Sequence, residues 1–102
     1  MHVIAKKMFT DAMIKFPNQS SALEDLYSGL KNNNFETPEE LKCLYGSLER
    51  IKEKEKWYVI DIGGNNLRVV MYINFMAKTV YMKYIVTHSD YDELCKKFKK
   101  GD

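Results

Sequence analysis

Residues 57–92 alternate between apolar and polar positions with the two-residue period of β-strands. Two turn signals divide this stretch into three segments. The first turn is predicted at Gly63–Asn66, because Gly and Asn tolerate positive φ. The second is predicted at Met76–Thr79. The pattern therefore indicates three consecutive strands joined by tight turns.

The two turns specify which strand residues lie opposite each other. A turn centred on Gly64-Asn65 places Asp61 opposite Arg68, and the second turn places Tyr72 opposite Lys83 and Arg68 opposite Thr87. A slip of one residue would move every side chain to the other face, so the pattern itself defines the pairing. The apolar face, expected to pack on helices, contains Tyr58, Ile60, Ile62, Leu67, Val69, Met71, Ile73, Phe75, Val80, Met82, Tyr84 and Val86. The opposite face contains Trp57, Val59, Asp61, Arg68, Val70, Tyr72, Asn74, Tyr81, Lys83, Ile85 and Thr87.

Helical spacing dominates the remaining chain. Thr10–Phe16 is predicted as a helix, and a second helix is predicted from Ser21, which begins a capping box, to about Asn32. Thr37–Tyr45 has a capping Thr followed by Pro and two glutamates, which together are typical of a helix start. Ser89 is predicted to cap a last helix, whose first turn is acidic.

This order of elements, with a short β-prone segment at His2–Lys6, predicts an α+β fold. We expect one small twisted antiparallel sheet, with the N-terminal helices packed on one face and a short C-terminal helix. A chain of 102 residues is expected to form a single domain, residues 1–102.

Composition restricts the function classes further. No apolar run approaches the ~20 residues of a membrane span. The segment MHVIAKK does not fit a secretory signal, so a cytoplasmic protein without membrane contact is expected. Cys43 and Cys95 are isolated and are expected to be reduced, and the spacing of Cys and His predicts no metal site. No cofactor is expected.

Charge is distributed unevenly along the chain. Residues 1–50 contain 6 Lys and Arg against 7 Asp and Glu, whereas residues 51–102 contain 10 against 7. Four lysines (Lys96, Lys97, Lys99 and Lys100) lie close to the end of the chain. This asymmetry permits a polyanionic partner, although lysine-rich tails are commonly just solvated.

Four residues are candidates for chemistry on RNA. Cleavage by internal transesterification needs a base on the 2′-hydroxyl, an acid on the leaving 5′-oxygen and cations for the charge on the phosphorane. Arg68 has the planar fork that suits two phosphate oxygens, and Lys83 adds a point charge. Histidine side chains are suited to proton transfer at neutral pH, which makes His88 a candidate, and Tyr91, three residues later, can stack on a base or move a proton.

Each of these residues also has a purely structural interpretation. Arg68 can form a cross-strand ion pair with Asp61, worth under ~1 kcal/mol if exposed. Lys83 can be a generic surface lysine, His88 a hydrogen-bonded histidine at a helix start, and Tyr91 a packing residue.

Further residues are candidates for RNA contact. Tyrosines and a tryptophan on the polar face can stack on bases, and lysines before the first strand can contact phosphates. The glycine-containing turn is not a phosphate-binding loop, because it joins two strands and lacks the characteristic lysine. The RNA-binding candidates are Trp57, Tyr72, Asn74, Tyr81, Lys54 and Lys56.

Several segments resemble the HigB-type toxins of the RelE/ParE superfamily: MHVIAKK, TPEELK, KWYVIDIGGNNLRVV and YIVTHSDYDEL. The resemblance extends from Met1 to about Leu94 and implies a RelE-like fold. It also implies the toxin of a bacterial type II toxin–antitoxin system, acting as a metal-independent endoribonuclease on mRNA in the 70S ribosome. A cognate helix-turn-helix antitoxin would neutralise the toxin, and operator DNA would be contacted only through that antitoxin.

The resemblance places the expected site at Arg68, His88 and Tyr91, and Lys83 is added from its strand position. Asp61 departs from the pattern, since Asn is expected there. Its negative charge could weaken phosphate binding or hold the guanidinium in place. Two alternatives remain open: a non-catalytic module that binds RNA or protein, and a ParE-like gyrase poison.

Overall fold

The computed structural model describes residues 1–4, 6–63 and 66–101, and Lys6 only by its backbone, so the predicted turn centre Gly64-Asn65 lies outside the described residues. In chain order the elements are β1 (His2–Ile4), α1 (Lys6–Lys15), a 3-10 turn (Pro17–Gln19), α2 (Ser20–Asn32), α3 (Pro38–Leu44), β2 (Glu49–Arg50), β3 (Trp57–Ile62), β4 (Leu67–Asn74), β5 (Thr79–Thr87) and α4 (His88–Lys99).

The strands form one sheet in the order β1-β5-β4-β3-β2. The pairings from β2 to β5 are antiparallel, whereas β1 pairs parallel with β5. The α+β class is therefore confirmed, but the sheet is mixed, and the prediction of a wholly antiparallel sheet is wrong at β1. Hairpin signals report only neighbouring strands, so they could not predict a pairing between residues almost 80 positions apart.

The first hairpin has the predicted register, with Asp61 opposite Arg68. The second hairpin does not, because Tyr72 pairs with Tyr81 and Arg68 with Val86. The prediction had paired Tyr72 with Lys83 and Arg68 with Thr87.

Two features produce this difference. The turn places Asn74 opposite Thr79, which shifts the partner of Tyr72 by two residues, and a β-bulge then changes the register by one residue. Val70 pairs with Tyr84, but the adjacent Met71 pairs with Met82, which leaves Lys83 as an extra residue in β5. The residues after the bulge therefore lie on the faces opposite to those predicted. Ile85 packs on the large core, and Thr87 pairs with Leu67 on that side. Tyr84 and Val86, which had been predicted to face the core, share the opposite face with Val70 and Arg68.

Hydrophobic residues pack on both sides of the sheet. The larger core lies between the sheet and α1–α3, with fully buried Phe9, Leu23 and Leu30 from the helices. On the other side, Phe98 of α4 packs with Ile51, Val59 and Val70, and Trp57, Tyr91 and Leu94 surround this smaller cluster. The sequence predicts helices packed on one face of the sheet, whereas α4, with 12 residues, covers part of the second face as well.

The helix starts are partly as predicted. Thr37 caps α3, since its side chain accepts a hydrogen bond from the Glu40 amide at 3.2 Å. The capping box at Ser21 is wrong, because α2 begins at Ser20, directly after the 3-10 turn, without a side-chain cap. Thr87, rather than Ser89, caps α4 by accepting from the Asp90 amide at 3.3 Å. His88 is therefore the first residue of α4.

No helix in the described parts of the chain has both the length and the apolar character needed to cross a membrane.

Gly63 offers a test of the first turn. It has a φ of 63°, and a Cβ there would lie 1.7 Å from Oε1 of Gln19. Gly63→Ala should therefore lower the free energy of unfolding by ~1–2 kcal/mol, the cost of a left-handed Ala. Gly46→Ala is the matched control, because nothing lies within 4 Å of its Cβ position. It should leave stability unchanged or raise it by up to ~1 kcal/mol. Equal urea midpoints for the two variants would contradict this account.

Candidate active site

Arg68 lies at the centre of a group of polar side chains on the α4 side of the sheet. Its side chain is only 10% exposed. Nη1 lies 2.9 Å from Oδ1 of Asp61, and Nη2 lies 2.7 Å from Nδ1 of His88. The Tyr91 ring centroid lies 5.9 Å from Cζ. We call these four residues the Arg68 cluster.

The fold brings these residues together through three adjacent strands. Asp61 in β3 pairs directly with Arg68 in β4, which pairs with Val86 in β5. Directly after Val86, the cap at Thr87 turns the chain into α4. His88 and Tyr91 are three residues apart on this helix, and residues at that spacing share one side of a helix.

The contact between Arg68 and Asp61 is an ion pair without hydrogen-bond alignment. Although 2.9 Å separates the two atoms, the N–H directions of Nη1 do not meet the oxygen, and Nη1 is buried with no hydrogen-bond partner among the described residues. A buried donor that has no partner costs free energy. The arrangement therefore favours an anionic ligand that would accept this hydrogen bond.

The contact between Arg68 and His88 determines the histidine tautomer. A guanidinium can only donate, so Nδ1 of His88 accepts and the ring hydrogen lies on Nε2. Nε2 faces Oδ2 of Asp92 at 3.7 Å, which is too long for a direct hydrogen bond. The side chain is 54% exposed, so substrate can reach it.

Tyr91 has a more restricted chemistry. Burial raises the pKa of its phenol far above the usual value, and a hydrogen bond with Cys95 acts in the same direction, while Arg68 opposes both. The phenol therefore keeps its hydrogen at neutral pH. It can donate a hydrogen bond or pack against a ligand, but it is a poor base.

A second group of residues lies farther along the same side of the sheet. Trp57 pairs with Tyr72, which pairs with Tyr81, and the two tyrosine rings are 5.8 Å apart. Nζ of Lys83 lies 5.5 Å from the Trp57 ring and 5.9 Å from the Tyr81 ring. We call these four residues the aromatic cluster. Tyr72 is four positions from Arg68 on β4, about 13 Å along the strand. The structure thus groups Lys83 with aromatic rings.

The other RNA-binding candidates have different surroundings. Nζ of Lys54 lies 5.6 Å from the Trp57 ring, at the border of the aromatic cluster. Asn74 accepts from the Ala77 amide at 3.0 Å and so closes the turn between β4 and β5. Lys56 is exposed, with a φ of 66°. RNA contact by all three stays a prediction.

Sequence reasoning did not single out Ser47 or Asp92. Ser47 Oγ accepts from the Asp61 amide at 2.9 Å and donates to the Asp61 carbonyl at 3.2 Å. This contact joins separate segments, so no local pattern predicts it. Asp92 could have been found, because it lies four residues after His88 on the same helix. Among the described residues, no group of three or more Cys, His, Asp or Glu could hold a metal ion.

Comparison with known proteins gives the family. A model described as HigB_toxin, RelE-like toxic component of a toxin-antitoxin system, matches residues 19–94. The chain belongs to the HigB toxin family. The matched region contains the whole Arg68 cluster, and membership of a toxin–antitoxin family implies an antitoxin partner.

Curated relatives of the HigB family cover nearly the whole chain. The mRNA interferase HigB of Escherichia coli O6:H1 (strain CFT073) is 43% identical over 101 residues, which are 99% of this chain and 98% of the relative. The mRNA interferase toxin HigB of Escherichia coli K12 is 37% identical over 92 residues, 90% of this chain and 88% of the relative. The mRNA interferase HigB of Shigella flexneri has the same identity and coverage.

The raised pKa of Tyr91 can be observed directly. In protein labelled with ¹³C at tyrosine Cζ, the Tyr91 resonance is the one that is missing from the spectrum of Tyr91→Phe. Its chemical shift should stay constant at every pH up to 10, where an ordinary phenol is about half ionised. Titration of that resonance below pH 10 would show that the phenol is not buried as described.

Proposed function

We propose that this chain is an mRNA interferase that cleaves mRNA on the ribosome, by attack of a ribose 2′-hydroxyl on the adjacent phosphate, without a metal ion. The main support is the buried Arg68 guanidinium, whose Nη1 has no hydrogen-bond partner among the described residues and which lies beside an accessible imidazole. The relatives are named mRNA interferases, which points to the same reaction.

Arg68 would bind the scissile phosphate. Its fork presents N–H groups to two oxygens, and charge develops on those oxygens in the pentavalent transition state. Because the side chain is nine-tenths buried, its interaction with that charge is screened less than it would be at the surface.

Phosphate binding would also change the state of His88. A phosphate oxygen competes for the hydrogen on Nη2, which releases Nδ1 of His88. The released imidazole can take a proton from water and give it to the leaving 5′-oxygen. Tyr91, which remains protonated, would donate a hydrogen bond or pack against the sugar or base. The products would be a 2′,3′-cyclic phosphate and a 5′-hydroxyl.

The aromatic cluster would hold RNA next to the reacting phosphate. Trp57, Tyr72 and Tyr81 provide surfaces for base stacking, and Lys83 provides a charge for a neighbouring phosphate. Lys54, Lys56 and the lysines at the end of α4 would extend the electrostatic contact to mRNA or ribosomal RNA.

The implied antitoxin would contain a helix-turn-helix domain, and operator DNA would be contacted only through that domain. Both the antitoxin and the 70S ribosome would be encountered in the cytoplasm.

Substitution of the two central residues tests the reaction. Arg68→Lys keeps the charge but loses the fork, and His88→Ala removes the proton donor, so each should lower the single-turnover cleavage rate of ribosome-bound mRNA by about 100-fold or more. Arg50→Lys, at an exposed arginine in β2, is the matched control and should cleave normally. Circular dichroism would verify folding. Full activity in both site variants would exclude this mechanism.

Mapping of mRNA 5′ ends after induced expression distinguishes the mRNA interferase from the two alternatives, a gyrase poison and a binding module. Cuts within codons of translated messages, absent when ribosomes are omitted in vitro, support the proposal. DNA breaks with intact mRNA would indicate a gyrase poison, and growth arrest with neither would indicate a binding module.

The position of Lys83 leads to a separate prediction. Because its ammonium lies over aromatic rings, Lys83→Ala should raise the toxin concentration for half-maximal cleavage by about 5-fold, equivalent to ~1 kcal/mol. The saturated rate should change less than in Arg68→Lys. A large loss of saturated rate with unchanged half-maximal concentration would instead place Lys83 at the reacting phosphate.

A further inference from the structure

We propose that Asp61 is the general base that takes the proton of the 2′-hydroxyl, with His88 as the general acid on the other side of the scissile phosphate. This inference rests on the proposed function and assigns a carboxylate to a role that His88 or Tyr91 would otherwise have to fill.

The first argument is the position of Asp61 relative to His88. In-line displacement at phosphorus needs the base and the acid on opposite sides, with the cation between them. Asp61 contacts Nη1 of Arg68 and His88 contacts Nη2, so the two groups flank the guanidinium. Neighbouring strands are ~4.8 Å apart, so the backbones of β3 and β5 are separated by roughly 10 Å at this level. A phosphate bound to Arg68 would lie between carboxylate and imidazole.

The second argument is the form of the ion pair. A carboxylate that served only to hold Arg68 would be expected to accept aligned hydrogen bonds, commonly two in parallel. Here one oxygen contacts one nitrogen, without hydrogen-bond alignment, and the side chain is 36% exposed. The carboxylate is therefore close to the guanidinium yet accessible to a ligand.

The third argument is the rigidity of Asp61. Ser47 Oγ accepts from its amide at 2.9 Å and donates to its carbonyl at 3.2 Å, which fixes the backbone of β3 next to the segment before β2. Catalytic groups are most effective when their supports hold them in place.

The other candidate bases are less suitable. Tyr91 holds its hydrogen firmly because burial raises the pKa of the phenol. Nδ1 of His88 accepts from Arg68 until phosphate displaces it, and the released ring is then needed as the proton donor to O5′. The carboxylate of Asp61, by contrast, has unused lone pairs.

The reaction balances with these groups. The 2′-hydroxyl gives its proton to the Asp61 carboxylate as the bond between O2′ and phosphorus forms. The bond between phosphorus and O5′ breaks, and the departing oxygen takes a proton from the His88 imidazolium. The resulting aspartic acid and neutral imidazole return to their starting states by exchange with water, so no oxidant, reductant or metal is required.

Asp61→Asn tests the role, because it preserves shape and removes basicity. Single-turnover cleavage of mRNA bound to 70S ribosomes should fall at least about 100-fold. Binding of a 2′-deoxy mRNA, which cannot react, should be unchanged or tighter. Wild-type protein should cleave more slowly at low pH, because a protonated carboxyl group cannot act as a base. Asp61→Asn should not show this decrease. Asp11→Asn, at an ion-paired aspartate on α1, is the matched control and should behave as wild type.

A modified substrate separates the base from the acid. Replacing O5′ with sulfur gives a leaving group that departs without a proton. This mRNA should restore cleavage in His88→Ala but not in Asp61→Asn. Asp61→Glu keeps a carboxylate, so it should retain the decrease in rate at low pH even if its rate is reduced. It supplies the test if Asp61→Asn does not fold.

Two outcomes would overturn the inference in different ways. Suppose that wild-type protein cleaves, that the rate of Asp61→Asn is within about threefold of wild type, and that this variant still loses activity at low pH. Asp61 then only holds Arg68, and the proposed function stands. If wild-type protein does not cleave ribosome-bound mRNA, the proposed function and this assignment fail together.

Discussion

The burial of one guanidinium between a carboxylate and an imidazole organises this protein. Arg68 is a charged residue at a position where the neighbouring strand residues Val69 and Val70 are fully buried. Such a charge is retained only with partners, and Asp61 of β3 and His88 at the start of α4 supply them. Among the described residues, Nη1 nevertheless has no hydrogen-bond partner, and this property best matches an anion-binding role.

The two layers of helices serve different purposes around that charge. The N-terminal helices bury the apolar side of the sheet and support the strands that position Asp61 and Arg68. The last helix contributes chemistry, since His88 and Tyr91 lie in its first turn, and it is anchored at its other end by Phe98. The exposed imidazole is therefore fixed from both directions, by the cap at Thr87 and by an apolar contact almost three turns later.

Sequence patterns predicted the fold class, the three long strands and the first hairpin, because alternation and turn residues act locally. They also selected Arg68, His88 and Tyr91, and the structure places His88 and Tyr91 each next to Arg68. They could not predict the parallel pairing of β1 or the bridge from Ser47 to Asp61, since both depend on distant segments. Lys83 was grouped with Arg68 on the assumption of a regular ladder, whereas the structure brings its ammonium to Trp57 and Tyr81.

The bulge in β5 decides which side chains of the strand's second half face the interior. The strand enters the sheet with Val80 and Met82 toward the large core and, after one unpaired residue, continues with Ile85 toward it. Many side chains would fit at this exposed position. If Lys83 instead joined a regular ladder, the two sides of the strand's second half would be exchanged, which would move Ile85 out of the interior and turn the start of α4 away from Arg68.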